Sequence, residues 1–355
     1  MSSLAIWARS KDGDFGNETP LIEKLHFNYW YLDCGKNDVP CLDIGILLSS
    51  FKSLSELMIW LPFQVAVDDV IDLAGSLKDA SLLGAVFNDE YRVDSMEGKA
   101  CYAHLPNRTE SLNYADCAGF VLYELDVQSN ISFRPFSGDR QLGTILSIAV
   151  ETLHDLIKAS DNGCGKRAYF RFRIKTHGLQ EAFVFGRNYK WLDALLHDTL
   201  TATKLMDFRI NQSRSLPKTL CEEVDSAGGF LPIAALHFLL LTKDTTVVSS
   251  DEHSTMRRLE RDVWDCYLPD SKAPKPALSD DVIAYHWKQK GKLSADPSAS
   301  TYAKAARRIT SPFICWDVFI VLRFMHKSFR NLVVYLAFAI LLGIASNVIA
   351  AALGF

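Results

Sequence analysis

Alternation of apolar and polar side chains predicts strands in the first half of the chain. Residues 25–67 contain three apolar or alternating runs separated by turn residues, as is typical of neighbouring strands. Pro62 interrupts the third run, 58–67, which predicts an edge or bulged strand because proline has no amide hydrogen to donate. Two further runs, 119–127 and 131–136, predict a pair of adjacent strands.

The second half of the chain mixes helical and strand patterns. Apolar residues at helical spacing predict helices over 146–157 and 191–205, and a charged helix over 257–264. The nearly all-apolar run 232–241 predicts a central strand, and 206–210 a short extended segment. We therefore expect helices packed with strands after about residue 140.

The last 24 residues, 332–355, carry no charge, and thirteen of them are Leu, Ile, Val or Phe. As a helix they would extend roughly 36 Å, enough to cross a hydrocarbon core of about 30 Å. A buried core helix is the alternative interpretation. Residues 313–330 place Arg323, Lys327 and Arg330 on one helical face, which predicts a helix lying in the membrane interface, or else a helical hairpin with the final segment.

The order of these elements predicts an α+β protein. We expect a β-rich cytoplasmic subdomain (1–140), an α+β subdomain with a basic strand face (141–268), a linker and basic collar (269–312), an interfacial amphipathic helix (313–330) and a C-terminal transmembrane helix (331–355). Residues 285–330 carry an excess of seven positive charges, whereas the net charge of the chain is −4. Positive residues stay on the cytoplasmic side, so these patterns predict a single-pass protein of the inner (plasma) membrane with its N-terminal region in the cytoplasm.

The sequence contains none of the catalytic or phosphate-binding motifs considered below. The segment Gly163-Cys164-Gly165-Lys166-Arg167 lacks the first glycine and the hydroxyl of a phosphate-binding loop, and no His-Glu-x-x-His or Gly-x-Ser-x-Gly occurs. No cysteine lies at zinc-ligand spacing from another cysteine or from a histidine. We expect no catalytic residue, no metal and no cofactor, with a dispersed catalytic site as the alternative.

A basic strand face is the first candidate site. Phe170, Phe172 and Ile174 alternate with Arg171, Arg173 and Lys175. Arginines bind phosphates with two donors and stack on bases, which predicts a nucleotide or single-stranded oligonucleotide ligand. The alternative is a surface whose charges pair with acids of the same domain. The predicted ligand-binding residues are Lys166, Arg167, Arg171, Arg173, Lys175, Arg209 and Arg214.

A stripe of small residues is the second candidate site. Ala339, Gly343, Asn347 and Ala351 recur every four residues and therefore share one face of the C-terminal helix. Small residues let helices approach closely in lipid, and an asparagine donates hydrogen bonds across such a contact. The stripe predicts a homo-oligomer and a pore, whereas the alternative is a passive anchor.

This layout resembles the membrane effectors of bacterial antiphage systems, and among them the channel-forming effector of Hailong-type nucleotidyltransferase systems. The resemblance rests on the basic strand residues Arg171, Arg173 and Lys175 together with the segment 332–355. It implies an ion channel in the lipid bilayer, controlled by a nucleotide or oligonucleotide that a partner protein produces. The alternatives are a membrane-anchored adaptor or scaffold without conductance and a tail-anchored enzyme.

Overall fold

The structure is a computed structural model that describes residues 2–11, 15, 20–32, 39–49, 53–96, 100–105, 119–139, 141–150, 167–186, 201–264, 267, 282–293, 309–325 and 329–353. Strands dominate this part of the chain. They are β1 (Ala5–Ser10), β2 (Leu21–Tyr31), β3 (Cys41–Ser49), β4 (Leu54–Leu61), β5 (Val70–Asp72), β6 (Arg92–Ser95), β7 (Ala100–His104), β8 (Phe120–Tyr123), β9 (Ile131–Gly138), β10 (Gln141–Ala149), β11 (Arg167–Lys175), β12 (Val184–Gly186), β13 (Thr201–Ile210), β14 (Ala235–Lys243), β15 (Thr246–Ser250), β16 (Thr255–Arg258), β17 (Val282–Lys290), β18 (Lys292–Leu293), β19 (Ile309–Ser311) and β20 (Trp316–Met325).

The described helices are few. They are α1 (Ala80–Phe87), α2 (Val127–Asn130), α3 (Gly178–Phe183), α4 (Lys218–Ser226), α5 (Arg261–Trp264) and α6 (Phe329–Ala352). Apart from the 24-residue α6, none of them exceeds nine residues. The predicted α+β class is therefore wrong, because the described chain is β-rich with little helix.

A ten-stranded sheet forms the centre of the molecule. Its strand order is β16-β17-β14-β2-β3-β11-β8-β7-β6, with β5 pairing along β11. Most neighbours are antiparallel, but β14 runs parallel to β2 and β11 runs parallel to β8. One face of this sheet packs into the main core, and α1 and the segment around Trp264 and Tyr267 cover much of the other. Strands on both sides of residue 140 contribute to this single sheet.

Two four-stranded sheets complete the described fold. The first has the order β1-β4-β10-β9 and packs against α4. The second has the order β12-β13-β20-β15. The strand predictions that correspond to β2, β3 and β11 are confirmed. The apolar run 232–241 overlaps β14 from residue 235 onward, and the run 58–67 overlaps β4 only over 58–61. Strand β4 lies between β1 and β10, so it is not an edge strand. The predicted pairing of 119–127 with 131–136 is wrong, because β9 pairs with β10 whereas β8 pairs with β7 and β11.

Three predicted helices differ from the structure. The helix predicted over 146–157 begins inside strand β10, whose β-branched residues pair on both sides with β4 and β9, and its later part lies outside the described residues. Residues 201–205 belong to β13 instead of the end of a helix, and 191–200 lie outside the described residues. The charged segment 257–264 is split between β16 and the one-turn α5.

The predicted interfacial helix is also a strand. Residues Trp316–Met325 form β20, which pairs with β13 along its whole length and with β15 over five residues. Val318, Ile320 and Leu322 are buried while Arg323 is exposed. Burial therefore repeats every two residues, as in a strand, and not at helical spacing. Bulky and β-branched residues in this run favour the strand over the helix.

The C-terminal helix is present as α6, but it does not meet the requirements of a membrane span. Among the described residues, no helix combines the necessary length and apolarity. The predicted transmembrane helix, and the single-pass inner-membrane location that depends on it, are therefore wrong.

Candidate anion-binding site

The structure places the predicted basic strand face inside the protein. Strand β11 lies between β3 and β8, and both of its faces are buried. Arg173 donates to Asp43 from Nε at 2.6 Å and from Nη2 at 3.1 Å. The Nη2 atom of Arg171 lies 3.9 Å from the same carboxylate. Asp43 also accepts a hydrogen bond of 2.7 Å from Trp30 Nε1, so this fully buried carboxylate is the centre of the group.

Two tyrosines complete this buried group. Arg171 donates from Nη1 to the Tyr169 hydroxyl at 3.0 Å and from Nε to the Tyr267 hydroxyl. Arg173 donates to the main-chain oxygen of Tyr267 at 3.0 Å, and both guanidinium groups lie over the Tyr267 ring. Burial raises the pKa of Tyr267, so its hydroxyl stays neutral. Arg171 and Arg173 therefore pair with Asp43, an acid of the same domain, which was the alternative interpretation from the sequence.

The other predicted ligand residues are dispersed. Arg167 forms an ion pair with Glu23, and Lys175 is half-buried at the end of β11. Arg209 lies in another sheet, where it binds both carboxylate oxygens of Asp207 at 2.7 Å. Arg214 is exposed, and Lys166 lies outside the described residues. These residues do not form one surface.

A different set of cations does come together at one end of the central sheet. Strand pairing places His237 of β14 beside His26 of β2 and opposite Lys288 of β17. Thr255 of β16 lies opposite His286, two residues before Arg257 on the same face. We call the following residues the basic cluster: Lys24, Arg167, His237, Arg257, His286, Lys288 and Lys290.

Burial and mutual repulsion lower the pKa values of two lysines in the cluster. Burial, then Arg167 and Lys288, lower the pKa of Lys24 to about 8. Burial and then Lys290 lower the pKa of Lys288. The Nζ atom of Lys24 lies 4.8 Å from the centroid of the Phe87 ring, which supplies a face of negative charge but no formal charge. Lys24 is therefore partly buried among positive charges, whereas Arg257, Lys288 and Lys290 are exposed.

Two histidines of the cluster are neutral and hydrogen-bonded to each other. His237 Nδ1 and His286 Nε2 are 3.0 Å apart, and the rings are stacked at 17°. Burial, then His286 and Lys288, lower the pKa of His237 to about 3. Burial, then Arg257 and Lys288, lower the pKa of His286 to about 4. One imidazole donates and the other accepts, since neither carries a second proton at neutral pH.

Carboxylates balance only part of this charge. Glu23 and Asp89 act on Lys24, and Glu23 is already paired with Arg167. Within the described ranges, no carboxylate forms an ion pair with Lys24, Lys288 or Lys290. The five lysines and arginines of the cluster exceed these two acids by three positive charges. Such an arrangement is suited to an anion.

The sequence contains a signal for this site in the alternation of basic residues along β17, a pattern that no motif describes. His286, Lys288 and Lys290 alternate along β17 as regularly as the basic residues of β11 do. Their partners Lys24 and His237 lie on strands that are adjacent only in space. The basic run on β11 alternates with apolar residues and favoured a ligand site there, but its arginines meet Asp43 in the core.

The remaining predicted residues lie elsewhere. Ala339, Gly343, Asn347 and Ala351 are all exposed along one row of α6, and their role in an oligomer stays a prediction. Arg323 is exposed on β20, whereas Lys327 and the side chain of Arg330 lie outside the described part. Among the residues that the structure describes, no group of three or more His, Cys, Asp or Glu side chains could hold a metal ion.

Comparisons with known proteins add little to this picture. No protein-family model and no curated protein matches the sequence. Among solved structures, an M1 zinc metallopeptidase from Deinococcus radiodurans is 8% identical, with a TM-score of 0.29 over 86% of this chain and 42% of that one. Native yeast LTA4 hydrolase is 9% identical, with a TM-score of 0.31 over 87% of this chain and 30% of that one. The chain thus spans less than half the length of these proteins, and similarity this low supports no conclusion about function.

Proposed function

We propose that this protein binds a phosphate-bearing ligand, a nucleotide or a single-stranded oligonucleotide, at the basic cluster. The observation that carries the proposal is the partly buried Lys24 with exposed cations beside it, an excess of positive charge that Glu23 and Asp89 balance only in part. Partial burial of the Lys24 ammonium group near other positive charges destabilises the free protein. A phosphate would relieve that repulsion and accept hydrogen bonds from several donors at once.

The extent of the cluster favours an extended ligand. Arg257 lies on β16 and Arg167 on β11, which are five strand-to-strand steps apart in the sheet. At about 4.8 Å per step, the cluster extends roughly 24 Å across the strands. A ligand with several phosphates in a row matches this distance better than a single phosphate group does. We therefore keep the predicted ligand class but move its site from Arg171 and Arg173 to the basic cluster at one end of the same sheet.

Binding of a labelled oligothymidylate of about 12 nucleotides, followed by fluorescence anisotropy, tests the proposal. We expect binding that weakens as salt rises, because phosphate contacts release counterions. Lys24→Gln combined with Lys288→Gln should weaken binding at least tenfold. The double substitution should also make the dependence of log K on log salt shallower by about 1.4, since each contact with a single strand contributes roughly 0.7.

A matched control separates a specific site from general charge. Arg214→Gln combined with Lys218→Gln removes the same number of positive charges from exposed positions near α4, outside the cluster. This control should bind as the wild-type protein does. Equal losses in the two double variants, or no binding by the wild-type protein at low salt, would refute the proposed site.

A further inference from the structure

The His237–His286 pair lies within the cluster but contributes no charge to it at neutral pH. We propose that this pair couples anion binding to proton uptake, so that the ligand binds more tightly as the pH falls from 7 to 5. The inference rests on the proposed binding function and adds a mode of regulation to the same site. It depends on geometry, namely two imidazoles 3.0 Å apart on neighbouring strands, surrounded by cations.

The surroundings of the pair explain why it is neutral in the free protein. His26 lies on β2 beside His237, with ring centroids 5.1 Å apart, and its Nδ1 is 3.1 Å from the Tyr169 hydroxyl. Phe87 of α1 packs against His26 and adds no charge. Among the described residues, the lysines and arginines that act on the two imidazoles are Lys24 on β2, Arg257 on β16, and Lys288 and Lys290 on β17, and each lowers the pKa of at least one of the two.

A bound phosphate reverses this balance. An opposite charge within about 4–6 Å favours the protonated form of an imidazole and shifts its pKa by roughly 1–3 units. One proton satisfies the pair, because a second positive charge 3.0 Å from the first would be repelled. The bound state should therefore hold about one more proton than the free state at pH 5, and hardly more at pH 7.

The coupling can be measured as the pH dependence of oligothymidylate binding at constant ionic strength. Thymidine phosphodiesters do not titrate between pH 5 and 8, so a change in affinity reports on the protein. A bound-state pKa two units above the free value of His286 strengthens binding about tenfold between pH 7 and pH 5. His286→Gln and His237→Gln should each remove this dependence, whereas His177→Gln, an exposed histidine beyond the far end of β11, should retain it.

Calorimetry of the wild-type protein provides a second measurement that needs no variant. Titrations at pH 5.5 in two buffers with different ionisation enthalpies give the number of protons taken up, and we expect between about 0.5 and 1. Binding without proton uptake, or a pH dependence that persists in both histidine variants, would overturn the inference and leave the proposed function intact. No binding at any pH would overturn the proposed function itself.

Discussion

Asp43 is the residue on which the interior of the central sheet depends most. Its carboxylate is fully buried and accepts hydrogen bonds from Trp30 and Arg173 while facing Arg171. Among the described residues it is the one carboxylate within ion-pair distance of either guanidinium. Asp43→Asn keeps the shape of the side chain but leaves two buried positive charges without a described carboxylate to balance them.

The cost of this substitution follows from the contacts. Removing one partner of a buried ion pair destabilises a protein by about 3–5 kcal/mol, because the remaining charge stays desolvated. The new amide group would also point a donor at an arginine or at the Trp30 indole, which are themselves donors. We expect a loss of at least about 3 kcal/mol, a large part of the 5–15 kcal/mol that typically stabilises a folded protein.

Urea denaturation followed by tryptophan fluorescence measures this loss. Asp72→Asn is a matched control, because burial raises the pKa of Asp72 to about 6 and its charge is already unfavourable there. We expect the control to cost less than about 1 kcal/mol. Adding Arg173→Met to Asp43→Asn should restore part of the stability, since one buried positive charge then remains instead of two. Equal effects of Asp43→Asn and Asp72→Asn, or strict additivity in the double variant, would refute this account of the core.

Two further predictions concern the same face of the sheet. Gly45→Ala should destabilise the protein by about 1–3 kcal/mol, because a Cβ at Gly45 would clash with the Tyr169 hydroxyl and lie 2.9 Å from Arg171 Nη1. Gly186→Ala, where no atom lies within 4 Å of the added Cβ, should be nearly neutral in the same urea assay. The pKa of His237 is about 3 in the folded protein and 6.5 in the unfolded chain, so its contribution to stability is lost as the pH falls below 6.5. Between pH 6.5 and 4.5 the loss should reach about 2 kcal/mol, and His237→Gln should make the pH dependence of the unfolding free energy shallower.

Local patterns predicted the strands well and the helices poorly. Alternation along β2 and β11 and the apolar run of β14 reflect burial on the two faces of a strand, which a single segment shows by itself. In β20 the apolar side chains alternate, whereas Arg323 also stands at helical spacing from Lys327 and Arg330 further along the chain. The pairing with β13 decides between the two patterns, and β13 is remote in sequence.

The site could not be predicted because its residues meet only through the order of the strands. Arg173 and Asp43 are 130 residues apart, and the residues next to Arg173 in sequence do not indicate a carboxylate partner. Lys24 and Lys288 likewise come together because β14 lies between β2 and β17. The sequence therefore supports the expectation that a basic surface exists, whereas only the register shows which basic residues are buried and which remain available.

Photo-crosslinking of an oligothymidylate to the full chain, with the attached peptides identified by mass spectrometry, locates the ligand on the protein. We expect attachment to peptides from β2 and β17 that contain Lys24 and Lys288, and competition by unlabelled oligonucleotide. Attachment confined to α4 and the residues around Arg214, or none above the level of a control protein of equal charge, would contradict the proposed site.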